Sequence, residues 1–305
     1  MNRNAVEWRG YIPAVTTPFD EDGSLNAAKL GELIEWLVAE GMHGLVAAGT
    51  TGEWCTLTNQ DRIDLLQTVS DVAQNRIPLI AGCTAFTPEG VVRNAELAAQ
   101  YGFSGVLVTP PPYMTLSERE VFDFYAEVNA AITLPMCVYN WPPGTNFDMP
   151  LSLLSALAEL ENVVAIKNST GNFRRFLDAF FALKEDVRIF GVPMNDIGAS
   201  LVMHHGADGL MGAGGVLGKD QPDFFNRLWD GDLGEALRLG AKDRRIMTDW
   251  FNADYTAKFG SAPAVFKEAL NVQGLPGGFP RKPVLPLKAE HREIVRQSLT
   301  DLGKC

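Results

Sequence analysis

Val163-Val164-Ala165-Ile166-Lys167-Asn168 is the stretch on which the fold turns. Four apolar residues, three of them β-branched, run together with no polar alternation. A strand with one wet face would alternate, so this run reads as a parallel strand covered on both sides. Moving outward in both directions, the same kind of run returns at Tyr11–Thr17, Gly44–Gly49, Pro78–Cys83, Gly105–Pro110, Pro135–Asn140, Val187–Gly191 and Asp208–Ala213. Helical patterns lie between them. Ala27–Glu40 puts Leu30, Leu33, Ile34, Leu37 and Val38 on one face, with Gly41 placed to end it. Thr87-Pro88-Glu89 offers an N-cap, a proline at the first helical position and an acid in the first turn. Ser117 and Glu120 are spaced as a capping box before Val121, Phe122 and Phe124. Eight strand–helix units predict a closed (β/α)8 barrel, a TIM barrel, with an open doubly wound sheet as the competing arrangement.

After about residue 220 the strand signal stops. Phe224–Trp229, Leu233–Phe251, Pro263–Asn271 and Lys288–Leu302 read as helices, with the Gly/Pro-rich connector Leu275–Pro286 before the last. The expected organisation is a barrel over residues 1–220 and a C-terminal helical extension over 221–305 packed on it as one structural unit.

Composition narrows the function. The 305 residues are 46% hydrophobic and carry a formal charge of -11, so no basic stripe exists to neutralise nucleic-acid phosphates. No stretch approaches the ~20 apolar residues that span a bilayer, and the N-terminus lacks a secretory pattern. The reading is cytoplasmic, with no nucleic-acid or membrane partner. Cys55, Cys83, Cys137 and Cys305 are widely spaced, and Cys83 and Cys137 lie inside apolar runs, which suits free thiols. His43, His204, His205 and His291 fall on helix or tail segments without metal-ligand spacing, and no dinucleotide or phosphate loop follows a strand. No metal and no cofactor are expected.

Barrel enzymes gather their chemistry at the carboxyl ends of the strands, and four of those ends are unusual here. Gly49-Thr50-Thr51-Gly52-Glu53 combines permissive backbone, successive N–H groups and two hydroxyls, a neutral cradle for a carboxylate; a plain glycine turn is the alternative. Lys167 ends a doubly covered strand, where desolvation lowers an amine's pKa and frees it to attack carbonyls; an exposed or ion-paired lysine is the alternative. Tyr139, on the preceding strand, is placed to move protons, or to serve as a core tyrosine. Tyr113 follows Thr109-Pro110-Pro111-Pro112, a stiff loop that aims it or merely packs it.

The order GTTGE, TPPPY, YNWPPGT, AIKNSTG at these strand ends, with GADGLMGAGG and LPGGFPRKP further on, resembles the N-acetylneuraminate lyase and dihydrodipicolinate synthase family from Gly10 to about Leu302. The resemblance implies a class I aldolase-type barrel acting on pyruvate-like oxo acids. It implies that Lys167 forms the Schiff base, that Tyr139 relays the proton, and that Thr50 and Thr51, with Gly49, hold the carboxylate. It implies that Tyr113 reaches the site of a neighbouring subunit, although the loop here is one residue longer, and that Gly191 and Met211 line the pocket. It further implies a homotetramer built as a dimer of dimers.

Two departures bear on the substrate. Synthases of the family carry an arginine that holds a second carboxylate where Gly144 stands here, with Arg174 and Arg175 as possible replacements for the charge. Sialic-acid lyases place acidic residues after the strand-seven glycine, where Val192-Pro193-Met194-Asn195 stands here. The expected activity is therefore a Schiff-base lyase, aldolase or dehydratase, on a short 2-oxo-3-deoxy acid. A synthase condensing pyruvate with an aldehyde stands second. A non-catalytic oxo-acid binder stands last, because Lys167 and Tyr139 are both present.

Overall fold

The structure, a computed structural model, describes residues 1–305. Eight strands form one parallel sheet: β1 (Gly10–Tyr11), β2 (Leu45–Ala47), β3 (Leu79–Gly82), β4 (Gly105–Val108), β5 (Met136–Asn140), β6 (Val163–Asn168), β7 (Arg188–Phe190) and β8 (Gly209–Leu210). Neighbours run in the order β1-β8-β7-β6-β5-β4-β3-β2. A parallel bridge from Ala14 to Val46 joins the β1 side to β2 and closes the barrel. The closed sheet corrects the open alternative. The first run is shorter than the expected Tyr11–Thr17, because Pro13 has no N–H to donate to a ladder. Beyond Tyr11 the pairing continues only as isolated bridges from Ala14 to Val46 and Ala213.

Helices α1 (Ala27–Ala39), α2 (Asn59–Ala73), α3 (Pro88–Gln100), α4 (Glu118–Ala131), the single-turn α5 (Pro142–Thr145), α6 (Leu151–Ala158), α7 (Phe173–Leu183) and α8 (Asp196–His205) connect the strands. Their starts follow local chemistry. Thr87 caps α3 with Pro88 in the first turn, and Ser117 and Glu120 make a reciprocal capping box on α4. Gly41, after α1, takes φ +81°, a conformation that glycine adopts without strain.

After β8 come α9 (Asp220–Trp229), α10 (Leu233–Trp250), α11 (Ala262–Val272) and α12 (Ala289–Asp301). Phe224, Leu239, Trp250, Leu270 and Val295 from these helices belong to the same buried cluster as Leu33 and Leu65 from α1 and α2. A second cluster fills the barrel's interior with Trp8, Ile12, Val46, Ile80, Leu107, Val164 and Phe190. No helix is long and apolar enough to cross a membrane.

At the amino end of the barrel Asp208 accepts from Arg3 at 2.9 Å, from Arg188 at 2.8 Å and from the Ile189 N–H at 2.9 Å. This buried ion cluster ties the N-terminal segment to β7 and β8. The chemistry collects at the opposite pole.

Candidate active site

Lys167 is the penultimate residue of β6, in register with Tyr139 on β5 and Phe190 on β7. It is only 7% exposed, and burial pulls its amine down from the ordinary lysine value to about 8, an effect the neighbouring Cys137 thiol partly opposes. Its Nζ sits 4.2 Å from the centroid of the Tyr139 ring. Burial raises the Tyr139 phenol's pKa, with the adjacent Ser169 hydroxyl opposing. The phenol is thus protonated at neutral pH and available as a donor.

The ends of β5 and β6 are locked to each other. Asn140 Nδ2 donates to Asn168 Oδ1 and to Asp148 Oδ1, both at 2.9 Å, and Asn140 Oδ1 accepts from Met149 N–H at 3.1 Å. Asp148 also accepts from Thr170 and from Arg175, each at 3.0 Å. Tyr139 and Lys167 lie one residue before this clamp, so their backbone positions are set by it. The Trp141 ring stacks on Tyr139 at 6.2 Å and 15°.

Thr50, Thr51, Tyr139, Lys167, Gly191 and Met211 line a single cavity of about 250 Å³. The structure therefore brings six of the eight residues singled out from the sequence together. Gly191 adopts φ +136°, and a side chain there would run into Asn168 O and the Phe176 ring. Gly49 is not on the cavity wall. A Cβ at that position would face Val46 and Ala14 at 3.4 and 3.7 Å, inside the barrel. Tyr113 is not on the wall either; it is 97% exposed at φ +78°, on the loop after β4. Arg174 and Arg175 stay outside the cavity, occupied by Asp178 and Asp148.

The Thr50–Thr51 turn is held from below. Glu53 takes a left-handed conformation at φ +56°, and the Glu53 N–H donates to Thr50 O at 3.1 Å. Its carboxylate, 2% exposed as a residue, pairs with the buried Lys267 of α11 and accepts from Arg281 N–H at 2.9 Å. Lys267 also donates to Phe279 O at 2.8 Å. The connector read from the sequence only as a Gly/Pro-rich link thus braces the Thr50–Thr51 turn. The signal was a glutamate closing a glycine turn, a charge with no solvent to face.

A second group was missed. Tyr11, Gln221 and Asp243 line the same cavity, Asp243 coming from α10. The buried stripe of that helix reads Ala236, Leu239, Gly240, Asp243, Ile246, Trp250, so a carboxylate sits at a core spacing.

A parallel eight-stranded barrel with a desolvated lysine beside a phenol at the strand ends defines a class I, Schiff-base type of lyase. The sequence matches the Dihydrodipicolinate synthetase family over residues 7–302, and the chain belongs to that family. A 4-hydroxy-tetrahydrodipicolinate synthase of Afipia carboxidovorans is 32% identical over 298 residues, covering 97% of each chain. One from Clostridium novyi is 28% identical over the same span and coverage. Among solved structures, a chloride-inhibited dihydrodipicolinate synthase from Acinetobacter baumannii, complexed with pyruvate, superposes with a TM-score of 0.85 at 27% identity. That alignment covers 97% of this chain and 99% of the other.

Proposed function

We propose that the chain is a lyase that takes a short 2-oxo-3-deoxy acid through a Schiff base on Lys167. The observation that carries this is the Lys167 amine, held at about 8 by burial on the wall of a cavity it shares with Tyr139 and the Thr50–Thr51 turn. The turn holds the substrate carboxylate through N–H and hydroxyl donors. The neutral amine adds to the C2 carbonyl, and Tyr139 delivers the proton with which the carbinolamine's oxygen leaves as water. The resulting protonated imine draws electrons from C3. Either the C3–C4 bond breaks, with the C4 hydroxyl losing its proton, or a proton leaves C3 and a hydroxyl leaves from further along the chain. Gly49 shapes the turn, and Gly191 and Met211 bound the pocket.

The relatives named above favour a second reading, a synthase condensing pyruvate with an aldehyde. The same imine serves both, since an enamine at C3 attacks an aldehyde as the reverse of cleavage. Against a dicarboxylate product stands Gly144, which supplies no charge, and Arg174 and Arg175, which point elsewhere. We further propose that residues 221–305 form one unit with the barrel, as the shared buried cluster suggests. The unpaired cysteines support a cytoplasmic location. An almost fully exposed Tyr113 supports a homotetramer, a dimer of dimers, in which it is lent to a neighbour's site.

The test is reductive trapping. Borohydride with pyruvate should add the reduced pyruvyl group to Lys167 and inactivate the enzyme, and Lys167→Arg should abolish the adduct. An adduct that persists on another residue in that variant overturns the assignment.

A further inference from the structure

Beyond Lys167 the cavity continues to a polar group that the Schiff-base chemistry does not use. Gln221 is 1% exposed, and its amide is fully committed. Its Oε1 accepts from Leu217 N–H at 3.2 Å, which fixes the orientation of the amide. Its Nε2 then donates to Tyr11 Oη at 2.7 Å and to Asp243 Oδ1 at 2.9 Å. Tyr11 Oη sits 3.5 Å from Ala213 O, its only other partner. Asp243 is 8% exposed, and its Oδ2 accepts from no donor in the protein. It stands on the wall of the cavity that holds Lys167.

That oxygen opens onto the cavity instead of being sealed in the core, where an unmet carboxylate oxygen would be costly. A carboxylate oxygen that faces the cavity with no donor in the protein is free to accept from a ligand. The walls around it are Ile246, Met247, Phe251 and Phe266, with the Tyr255 phenol, close enough to feel the Asp243 charge, as a further polar group. A ligand ammonium carries three donors to be met by one Asp243 oxygen and the Tyr255 hydroxyl, whereas a hydroxyl needs one acceptor. A ligand carboxylate would place two like charges together. Arg244 reaches the same cavity from the next position on α10, but it is half exposed and leans toward Asp196 at 3.8 Å. It belongs to the rim.

We propose that Asp243 Oδ2, its carboxylate held at Oδ1 by Gln221, is a distal subsite that accepts a hydrogen bond from a hydroxyl on the substrate's far end. This rests on the Schiff-base reading of Lys167 and deepens it. The substrate class becomes a polyhydroxylated 2-oxo-3-deoxy acid, anchored at one end by Thr50 and Thr51 and at the other by Asp243. Asp243 is a specificity residue rather than a catalytic one. It touches a group remote from C2 to C4.

The experiment uses the full chain and borohydride capture, read by mass spectrometry as the concentration of 2-oxo acid that half-saturates adduct formation. Three six-carbon probes differ only at C6, the far end: 6-hydroxy-2-oxohexanoate, 2-oxohexanoate and 2-oxoadipate. Capture requires only the imine, so it works whether the enzyme cleaves or dehydrates. The wild-type protein should favour the hydroxylated probe over 2-oxohexanoate by at least tenfold. Asp243→Asn, which keeps the shape but not the charge, should reduce that preference by roughly ten- to hundredfold. If Asp243→Asn does not fold, Asp243→Ser, which leaves room for a water, carries the same measurement. A preference that survives the substitution overturns the subsite, whatever happens to overall capture, because a merely structural role would weaken both probes alike. Tighter capture of 2-oxoadipate than of the hydroxylated probe also overturns it and hands the far end to Arg244. Capture of none of the three in the wild type is a different failure. It removes Lys167 as the nucleophile and the subsite with it.

Discussion

The pH dependence of imine capture tests the site most directly. An ordinary lysine titrates near 10.5, whereas burial brings Lys167 to about 8. The fraction of neutral amine is then about 1% at pH 6, about 9% at pH 7 and half at pH 8. At pH 7 this is roughly 300 times the neutral fraction of an unperturbed lysine, which is what a nucleophile needs to work near neutrality. The assay is the initial rate of cyanoborohydride trapping of pyruvate on the Lys167 peptide between pH 6 and 10. Pyruvate is held below saturation, and the rate is divided by that of a free lysine derivative, so that the reagent's own pH dependence cancels. The logarithm of the rate ratio should be highest near neutral pH and should fall once the pH passes about 8, as the advantage of a lowered pKa is lost. A ratio that is flat from pH 6 to 10 would mean that Lys167 titrates like a solvated amine. The argument from desolvation would then be wrong, even if the adduct forms.

Burial of Lys167 also has a cost in stability. Its folded pKa lies below its unfolded one, so the unfolded chain holds more protons between about pH 8 and 10.5, and stability rises with pH across that window. Lys167→Met should therefore be more stable than wild type at pH 7 by on the order of 3 kcal/mol in urea unfolding, with the gap closing toward pH 10.5; equal stability at pH 7 refutes it. Lys267→Met leaves Glu53 buried without its partner and should cost about 3–5 kcal/mol, while also raising the pyruvate concentration for half-trapping as the Thr50–Thr51 turn loosens. The double variant Glu53→Leu with Lys267→Met should recover much of the stability but not the affinity, and a double variant no more stable than the single one contradicts the pairing argument. Gly144→Arg should not install dicarboxylate activity, because a Cβ at Gly144 meets the Trp141 ring, which itself stacks on Tyr139; the expected result is a loss of about 1–3 kcal/mol from overpacking. With pyruvate and aspartate semialdehyde, kcat/KM should fall roughly 30- to 4,000-fold below that for the best hydroxylated substrate, the range set by an unpaired carboxylate costing about 2–5 kcal/mol. The semialdehyde proving best would refute that estimate.

The barrel was legible because parallel strands covered on both faces leave an unmistakable mark: runs such as Val163–Ile166 with no alternation, repeated eight times. Cap chemistry at Thr87 and Ser117 is local and could be read in the same way. What escaped was every feature whose meaning depends on a distant partner. Pro13 shortens β1 only because its N–H position faces β2, while Ile12 and Ala14 keep donating toward Leu210 and Gly212 on the β8 side. Gly49 lies off the cavity wall because of the direction the turn takes, which its own neighbours do not name. A Cβ there would face Val46 and Ala14, while Thr50 and Thr51 reach the cavity wall. Glu53 and Lys267 are 214 residues apart, and nothing in either neighbourhood names the other. Asp243 is the instructive case, since its signal was present and passed over. An aspartate spaced with Leu239, Gly240, Ile246 and Trp250 on the inner stripe of α10 violates the pattern that keeps charge on the wet face. A helix tolerates that violation where the inner face meets a cavity instead of packed side chains. The same reasoning applies to Lys167, a charge at the end of an apolar strand. Both groups break the hydrophobic pattern of their own element, and both open onto one cavity. A pattern violation on two elements that converge on one space is stronger grounds for a site than either alone, because packing has no use for two buried, incompletely partnered ionisable groups facing the same void.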